Sequence, residues 1–247
     1  MTSARQNAWD FTTAPVTPEH RVDVEPVALV DVEPVALMDG VRTVETRDGL
    51  ATIKEPGTEL VIWQRSLPSP VSDWLDRLDV ESLPYLRILV QPDDLQHALE
   101  PLLDKCGMAA CDMRDHLVDD IDRLVRAFAA ITDSDSVDVR LERVDHDACW
   151  KFHRDTVEAR LVTTYRGPTT QWVRMAQAEE AITGQKDYNG PLERLGDHDV
   201  ALFKGNCAGP NSGVVHRSPP IAGTGLSRLF LCLNKQTVIS PDPWVRA

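Results

Sequence analysis

The segment CWKFHRD at residues 149–155 carries His153 and Asp155 as an H-x-D step, and a second histidine, His216, stands far downstream in GVVHRSPP. Two neutral imidazoles and one carboxylate bind a divalent first-row metal on one face and leave three coordination positions open. A 2-oxo acid can fill two of them through its keto oxygen and C1 carboxylate, which leaves the third for oxygen. Its far carboxylate then needs a fixed cation. Arginine suits that task, because its planar fork pairs with both carboxylate oxygens and keeps its charge. Arg228, opening the apolar run RLFLCLN, is placed for it. Tyr165 and Arg166, shortly beyond Asp155, are further candidate cosubstrate contacts, with Arg160 and Lys204 as weaker rivals. An H-x-D step alone is close to what this composition produces by chance, so the weight rests on the whole set.

Cys149 and Cys207 precede the two histidines and would favour zinc as thiolates. On a strand, however, C-x3-H places the two side chains about 13 Å apart, which disfavours a site built from Cys149, His153, Cys207 and His216. Arg217 should point to the opposite face from His216 and serve in a surface or structural pair. His20, His97, His116, His146 and His198 fall in the tail, on helices or in polar turns, as solvated side chains. Motifs for phosphate, dinucleotide, esterase and zincin chemistry are absent from the sequence.

Elements able to position this set follow from periodicity. Short strands are expected at residues 59–63 and 85–90, with helices starting at Ser69-Pro70 and Pro92. Leu117, Val118, Ile121, Leu124, Val125 and Phe128 form one stripe, which predicts a long amphipathic helix over residues 113–131. From Val137 the period changes to two, and strands are expected at 137–141, 159–165, 171–174, 200–204, 213–216 and 228–234, with a short helix near 176–182. The expected class is α+β: a mostly helical part over 46–133 packed on an antiparallel β part over 134–247. Residues 1–45 contain a tandem octapeptide, VDVEPVAL, and four prolines, and read as a disordered or extended lead-in.

Composition bounds the partners. The chain has 247 residues and a formal charge of −13, with 26 Lys and Arg against 39 Asp and Glu. That balance opposes phosphate backbones and anionic membranes, so neither nucleic acid nor membrane is expected as a partner. No apolar run approaches the roughly 20 residues of a membrane span, and the N-terminus lacks a secretory apolar core, so a cytoplasmic location is expected. Five scattered cysteines read as free thiols.

With an H-x-D step, a distant histidine and an arginine heading the last apolar strand, the sequence resembles the Fe(II)/2-oxoglutarate-dependent dioxygenases. The resemblance implies a double-stranded β-helix, a jelly-roll or cupin-like barrel, in the C-terminal half. It also implies His153, Asp155 and His216 as metal ligands and Arg228 as the 2-oxoglutarate arginine, with no catalytic residue beyond the ligands. The second half is also similar to the bacterial family numbered 1826 among the domains of unknown function. Shared features are the H-x-D step, the TYRGP run, the FKG step and the VHRSP segment leading to RLFLCL. Members commonly read GPGTEW where this chain has GPTTQW, a departure that touches only a turn. This second resemblance implies a metal-linked role. Together they imply an Fe(II)/2-oxoglutarate oxygenase acting on an unknown small molecule or protein. The alternative is a metal-binding protein of the same barrel, with zinc as the other metal, serving zinc or iron homeostasis without turnover.

Overall fold

The computed structural model describes residues 39–210 and 212–246. The octapeptide repeat, His20 and most of the expected lead-in lie outside these residues. Within its last few positions, Val41–Val44 forms a strand, β1, where a lead-in was expected. It pairs in parallel with β2, Leu60–Trp63. Arg42 ties the pair together by donating to Thr58 Oγ1 and meeting Glu55.

Helix α1, Ser69–Arg77, begins with proline in its first turn, where the missing N–H costs nothing. Strand β3, Tyr85–Val90, leads through a 3-10 turn at Pro92–Asp94 into α2, Leu95–Lys105. Next comes α3, Asp112–Thr132, with Asp112 and Asp115 in its first turn, where the helix dipole favours acids, and a left-handed Asp133 ending it. Its predicted apolar stripe is buried throughout. No helix of the described residues is long and apolar enough to cross a membrane.

The remaining strands are β4 (Val137–Val144), β5 (Ala159–Arg166), β6 (Gln171–Trp172), β7 (Glu193–Arg194), β8 (Val200–Lys204), β9 (His216–Arg217) and β10 (Arg228–Lys235), with helix α4, Ala178–Gly184, between β6 and β7. Seven strands form one sheet in the order β1-β2-β8-β5-β10-β4-β3, antiparallel except for β1 and β2. Strands β7, β6 and β9 form a second, small sheet. The chain is thus α+β, but residues 46–133 are not simply a helical layer: β2 and β3 belong to the same sheet as the later strands. Nor does that sheet close into a barrel, because β1 and β3 remain as its two edges.

Alternation assigns the two faces of the large sheet. On one face, Val139 and Leu141 of β4, Leu161 and Tyr165 of β5, and Leu229, Leu231 and Leu233 of β10 share a core with the stripes of α1, α2 and α3. The other face presents Leu60 and Ile62 of β2, Val162 of β5, Ala201 and Phe203 of β8, and Cys232 of β10. These pack against Trp172, Leu195 and Val214 from the small-sheet side. Two apolar layers therefore hold the large sheet between helices and small sheet, and the chemistry-bearing residues lie on the second side.

Candidate metal centre

His153 and His216 form an antiparallel bridge in which each backbone N–H donates to the other's carbonyl at 3.0 Å. Directly opposed residues put their side chains on the same face, and the two ring centroids stand 4.7 Å apart. Each imidazole is also oriented from behind: His153 Nδ1 lies 2.8 Å from Lys151 O and His216 Nδ1 lies 2.9 Å from Val214 O. A carbonyl only accepts, so Nδ1 carries a proton in both rings, and in the neutral form each Nε2 presents its lone pair. This is the arrangement that prepares histidine for a metal. Phe203 backs the His216 ring at 4.6 Å.

Asp155 brings a buried carboxylate to the same point. Its Oδ1 is 3.6 Å from His153 Nε2 and its Oδ2 is 3.4 Å from His216 Nε2. The ligand atoms of the three residues all lie within 4.8 Å of one another. Cis ligands about 2.1 Å from one ion stand about 3 Å apart, so a small inward movement accommodates a divalent metal. Asp155 Oδ2 is buried with no hydrogen-bond partner. Such an atom costs free energy unless something fills the gap, and a cation does so. Burial pushes the Asp155 carboxyl upward, but His153, His216 and Arg160 outweigh it and hold the pKa far below the usual carboxylate range. The same contact with Asp155 raises His153 against the effect of burial.

The loop carrying Asp155 is fastened by the end of β8. Gly205 N–H donates to Glu158 O, Asn206 N–H to Asp155 O and Cys207 N–H to Val157 O, at 2.8 to 3.2 Å. A Cβ on Gly205 would run into Val157 O, so the glycine of the FKG step is required by close backbone approach. In the TYRGP run, Gly167 has φ +81° and a Cβ there would run into Ser227 O. That turn therefore sits against the residue before Arg228.

Arg228 is wholly buried on the site face of β10. Its Nη1 donates to Ser218 Oγ at 2.7 Å and its Nη2 to Thr164 Oγ1 at 3.3 Å, while Nε has no partner. No carboxylate of the described residues pairs with it. Burial pulls its pKa down to about 10, against a smaller opposing effect of Cys149, so the charged form is held at a cost in free energy. Ser218 follows His216 by two residues, which on extended chain is about 6.6 Å. Ser218 thus links the cation to the segment that carries His216. Beside the triad is a cavity whose walls include His153, His216, Ser218, Thr170, Val162 and Phe230.

Other expected site residues go elsewhere. Tyr165 points to the helix face, fully buried, and donates to Asp120 Oδ2 at 2.7 Å beside Arg65. Arg166 donates to Leu75 O and Leu78 O at the end of α1, at 3.2 and 2.7 Å. Tyr165 shares the parity of Leu161 and Thr163, so alternation itself turns it to the helix face, whereas Arg166 leaves the site-face parity of Val162 and Thr164 at the register shift between Leu229 and Phe230 of β10. Neither residue reaches the cavity. Tyr165→Phe is accordingly expected to destabilise the fold by about 1–3 kcal/mol and leave 2-oxoglutarate affinity unchanged, as chemical denaturation and titration calorimetry would read. Arg217 donates to Gln171 Oε1 at 2.8 Å and covers the Phe152 ring, but it also lines the cavity beside His216, where alternation had put it on the opposite face.

Cys149 lies in a turn with φ +49° and lines the cavity, and Cys207 is exposed in a 3-10 turn. The clustered ligand group includes neither thiol. Arg160, expected only as a weak rival to Arg228, instead pairs with Asp155. Its position was readable: it shares the parity of Val162 and Thr164, which face the site.

The profile of the family described as "Protein of unknown function (DUF1826)" matches residues 45–234. No curated protein matches the sequence. Among solved structures, similarity extends to a prolyl-4-hydroxylase from Pseudomonas putida, at 10% identity over 77% of this chain and 96% of that one, with TM-score 0.42. HygX from Streptomyces hygroscopicus, solved with iron bound, gives 13% identity over 76% and 85%, with TM-score 0.40. The Kdo hydroxylase KdoO, described as a non-haem Fe(II) α-ketoglutarate-dependent dioxygenase, gives 10% over 78% and 88%, with TM-score 0.41.

Proposed function

We propose that this chain, which belongs to the DUF1826 family of proteins of unknown function, is a non-haem Fe(II) oxygenase with 2-oxoglutarate as cosubstrate, its facing sheets forming a double-stranded β-helix. The observation that carries this reading is a pair of complementary deficits beside one cavity, which His153, His216 and Ser218 line. Asp155 Oδ2 is buried without a hydrogen-bonding partner, and Arg228 is buried with no carboxylate partner among the described residues. A metal ion answers the first and a carboxylate answers the second, and a 2-oxo acid with a distal carboxylate joins the two.

When bound, Fe(II) with the 2-oxo acid and dioxygen as oxidant would supply the redox chemistry, oxidative decarboxylation coupled to removal of hydrogen from a substrate. The protein supplies geometry. His153 and His216 offer Nε2 with their tautomers fixed by Lys151 O and Val214 O, and Asp155 offers Oδ2. Arg228, Ser218 and Thr164 form a cationic, hydroxyl-lined seat for the distal carboxylate. Val162 and Phe230 line the space between and limit water. With a charge of −13, the chain is suited to a small-molecule or protein substrate and not to a polyanion.

The test is titration calorimetry of 2-oxoglutarate into the full chain with and without Mn(II). Binding at one per chain only when metal is present supports the reading. Metal binding without any cosubstrate binding would favour the alternative, a metal-binding protein acting in zinc or iron homeostasis.

A further inference from the structure

Arg160 has a place in the site that metal and cosubstrate binding do not account for. It stands on β5 directly opposite Asn234 of β10, and its Nε donates to Asn234 Oδ1 at 2.8 Å. Asn234 is buried. From that clamp the guanidinium reaches the metal-side carboxylate, and Nη1 donates to Asp155 Oδ1. The two oxygens of Asp155 are therefore in different situations: Oδ1 is engaged by Arg160, and Oδ2 is buried and unengaged.

We infer that Arg160 is a positioning residue that confines Asp155 to a single metal bond through Oδ2 and thereby keeps a third coordination position free. The inference rests on the metal reading of the site. A carboxylate with both oxygens free can bind a divalent ion through either or both. Two bonds from Asp155 would occupy a position that the reaction requires. A charge-assisted bond from a fixed guanidinium holds Oδ1 back, and the Asn234 contact denies Arg160 the freedom to follow Oδ1 toward the metal. Arginine is apt because its rigid fork can serve Asn234 and Asp155 at once.

The experiment counts water on the ion. Mn(II) bound to the full chain in 17O-enriched water is followed by electron spin echo spectroscopy, with metal stoichiometry measured on the same samples. The wild type should hold roughly three waters, the positions that a two-histidine, one-carboxylate triad leaves open. In Arg160→Met, which removes the donor at similar length, the count should fall to about two at unchanged stoichiometry. Arg160→Lys should restore it, because one charged donor again reaches Oδ1, a rescue that a merely structural role would not show. Asn234→Ala, which loosens the clamp and touches no metal ligand, should shift the count in the same direction as Arg160→Met and covers the case in which that variant folds poorly. An unchanged count in Arg160→Met or Asn234→Ala with one Mn(II) bound would overturn the inference. The cosubstrate reading is scored separately: 2-oxoglutarate should displace about two waters from the wild-type ion, and its failure to do so would overturn that reading while leaving the Arg160 result intact.

Discussion

His216→Ala is expected to weaken Fe(II) binding by at least 100-fold, read from an anaerobic competition isotherm. The magnitude follows from a comparison: loss of a group that merely orients a ligand costs 10- to 100-fold in metal affinity, and here a ligand itself is lost. His216 is the informative choice within the triad. It is buried, its Nε2 faces Asp155 Oδ2 at 3.4 Å and its Nδ1 is committed to Val214 O. Removing Asp155 would leave Arg160 without its carboxylate and mix two effects. The alanine variant keeps the backbone bridge to His153, which runs through N–H and carbonyl groups only, so the fold should persist by circular dichroism. Equal affinity in variant and wild type would place the metal elsewhere.

Arg228→Met should act on the other half of the cavity and in two opposite directions. Affinity of the metal-loaded chain for 2-oxoglutarate should fall by about 30-fold or more, since losing one partner of a buried charge pair costs about 2–5 kcal/mol. Metal affinity should not change. Stability of the cosubstrate-free protein should rise, because an uncompensated buried charge is replaced by apolar volume. The sign follows from the folded pKa of about 10, below the ordinary guanidinium value. A cation with a depressed pKa favours its neutral form in the fold, so the charged form destabilises below that value and the loss is recovered as pH rises from about 10 toward the ordinary guanidinium value. The difference corresponds to on the order of 3 kcal/mol. Thermal unfolding near neutral pH with 2-oxoglutarate absent therefore separates the variant upward. A fall in both stability and metal binding would make Arg228 a structural residue instead.

The residues of this site were readable to different depths, and the reason is how local each signal is. His153, Asp155 and His216 are declared by residue type, and their convergence needs only that two short β segments oppose one another, which the His153–His216 bridge accomplishes. Strands such as Tyr85–Val90 and Val200–Lys204 and the helix Asp112–Thr132 follow from periodicity that is intrinsic to each segment. Strand β1 was hidden because four residues carry no period, and only pairing with Leu60–Trp63 defines them. Tyr165 was readable from parity, since it alternates with Leu161 and Thr163 onto the helix face, whereas Arg166 was misplaced because the register shift beside Leu229 depends on the partner strand. Likewise, whether β1 and β3 remain as edges is decided by the whole strand order. Arg160 was undervalued because its significance arises from Asn234, more than seventy positions away.

The most direct test of the central claim is anaerobic addition of Fe(II) and then 2-oxoglutarate to the metal-free full chain, followed by visible absorption. A 2-oxo acid chelated to Fe(II) at the triad should give a charge-transfer band that saturates at one equivalent of each. It should be absent in His216→Ala and should need far more 2-oxoglutarate in Arg228→Met. Saturating metal binding with no band at any 2-oxoglutarate concentration would contradict the oxygenase account.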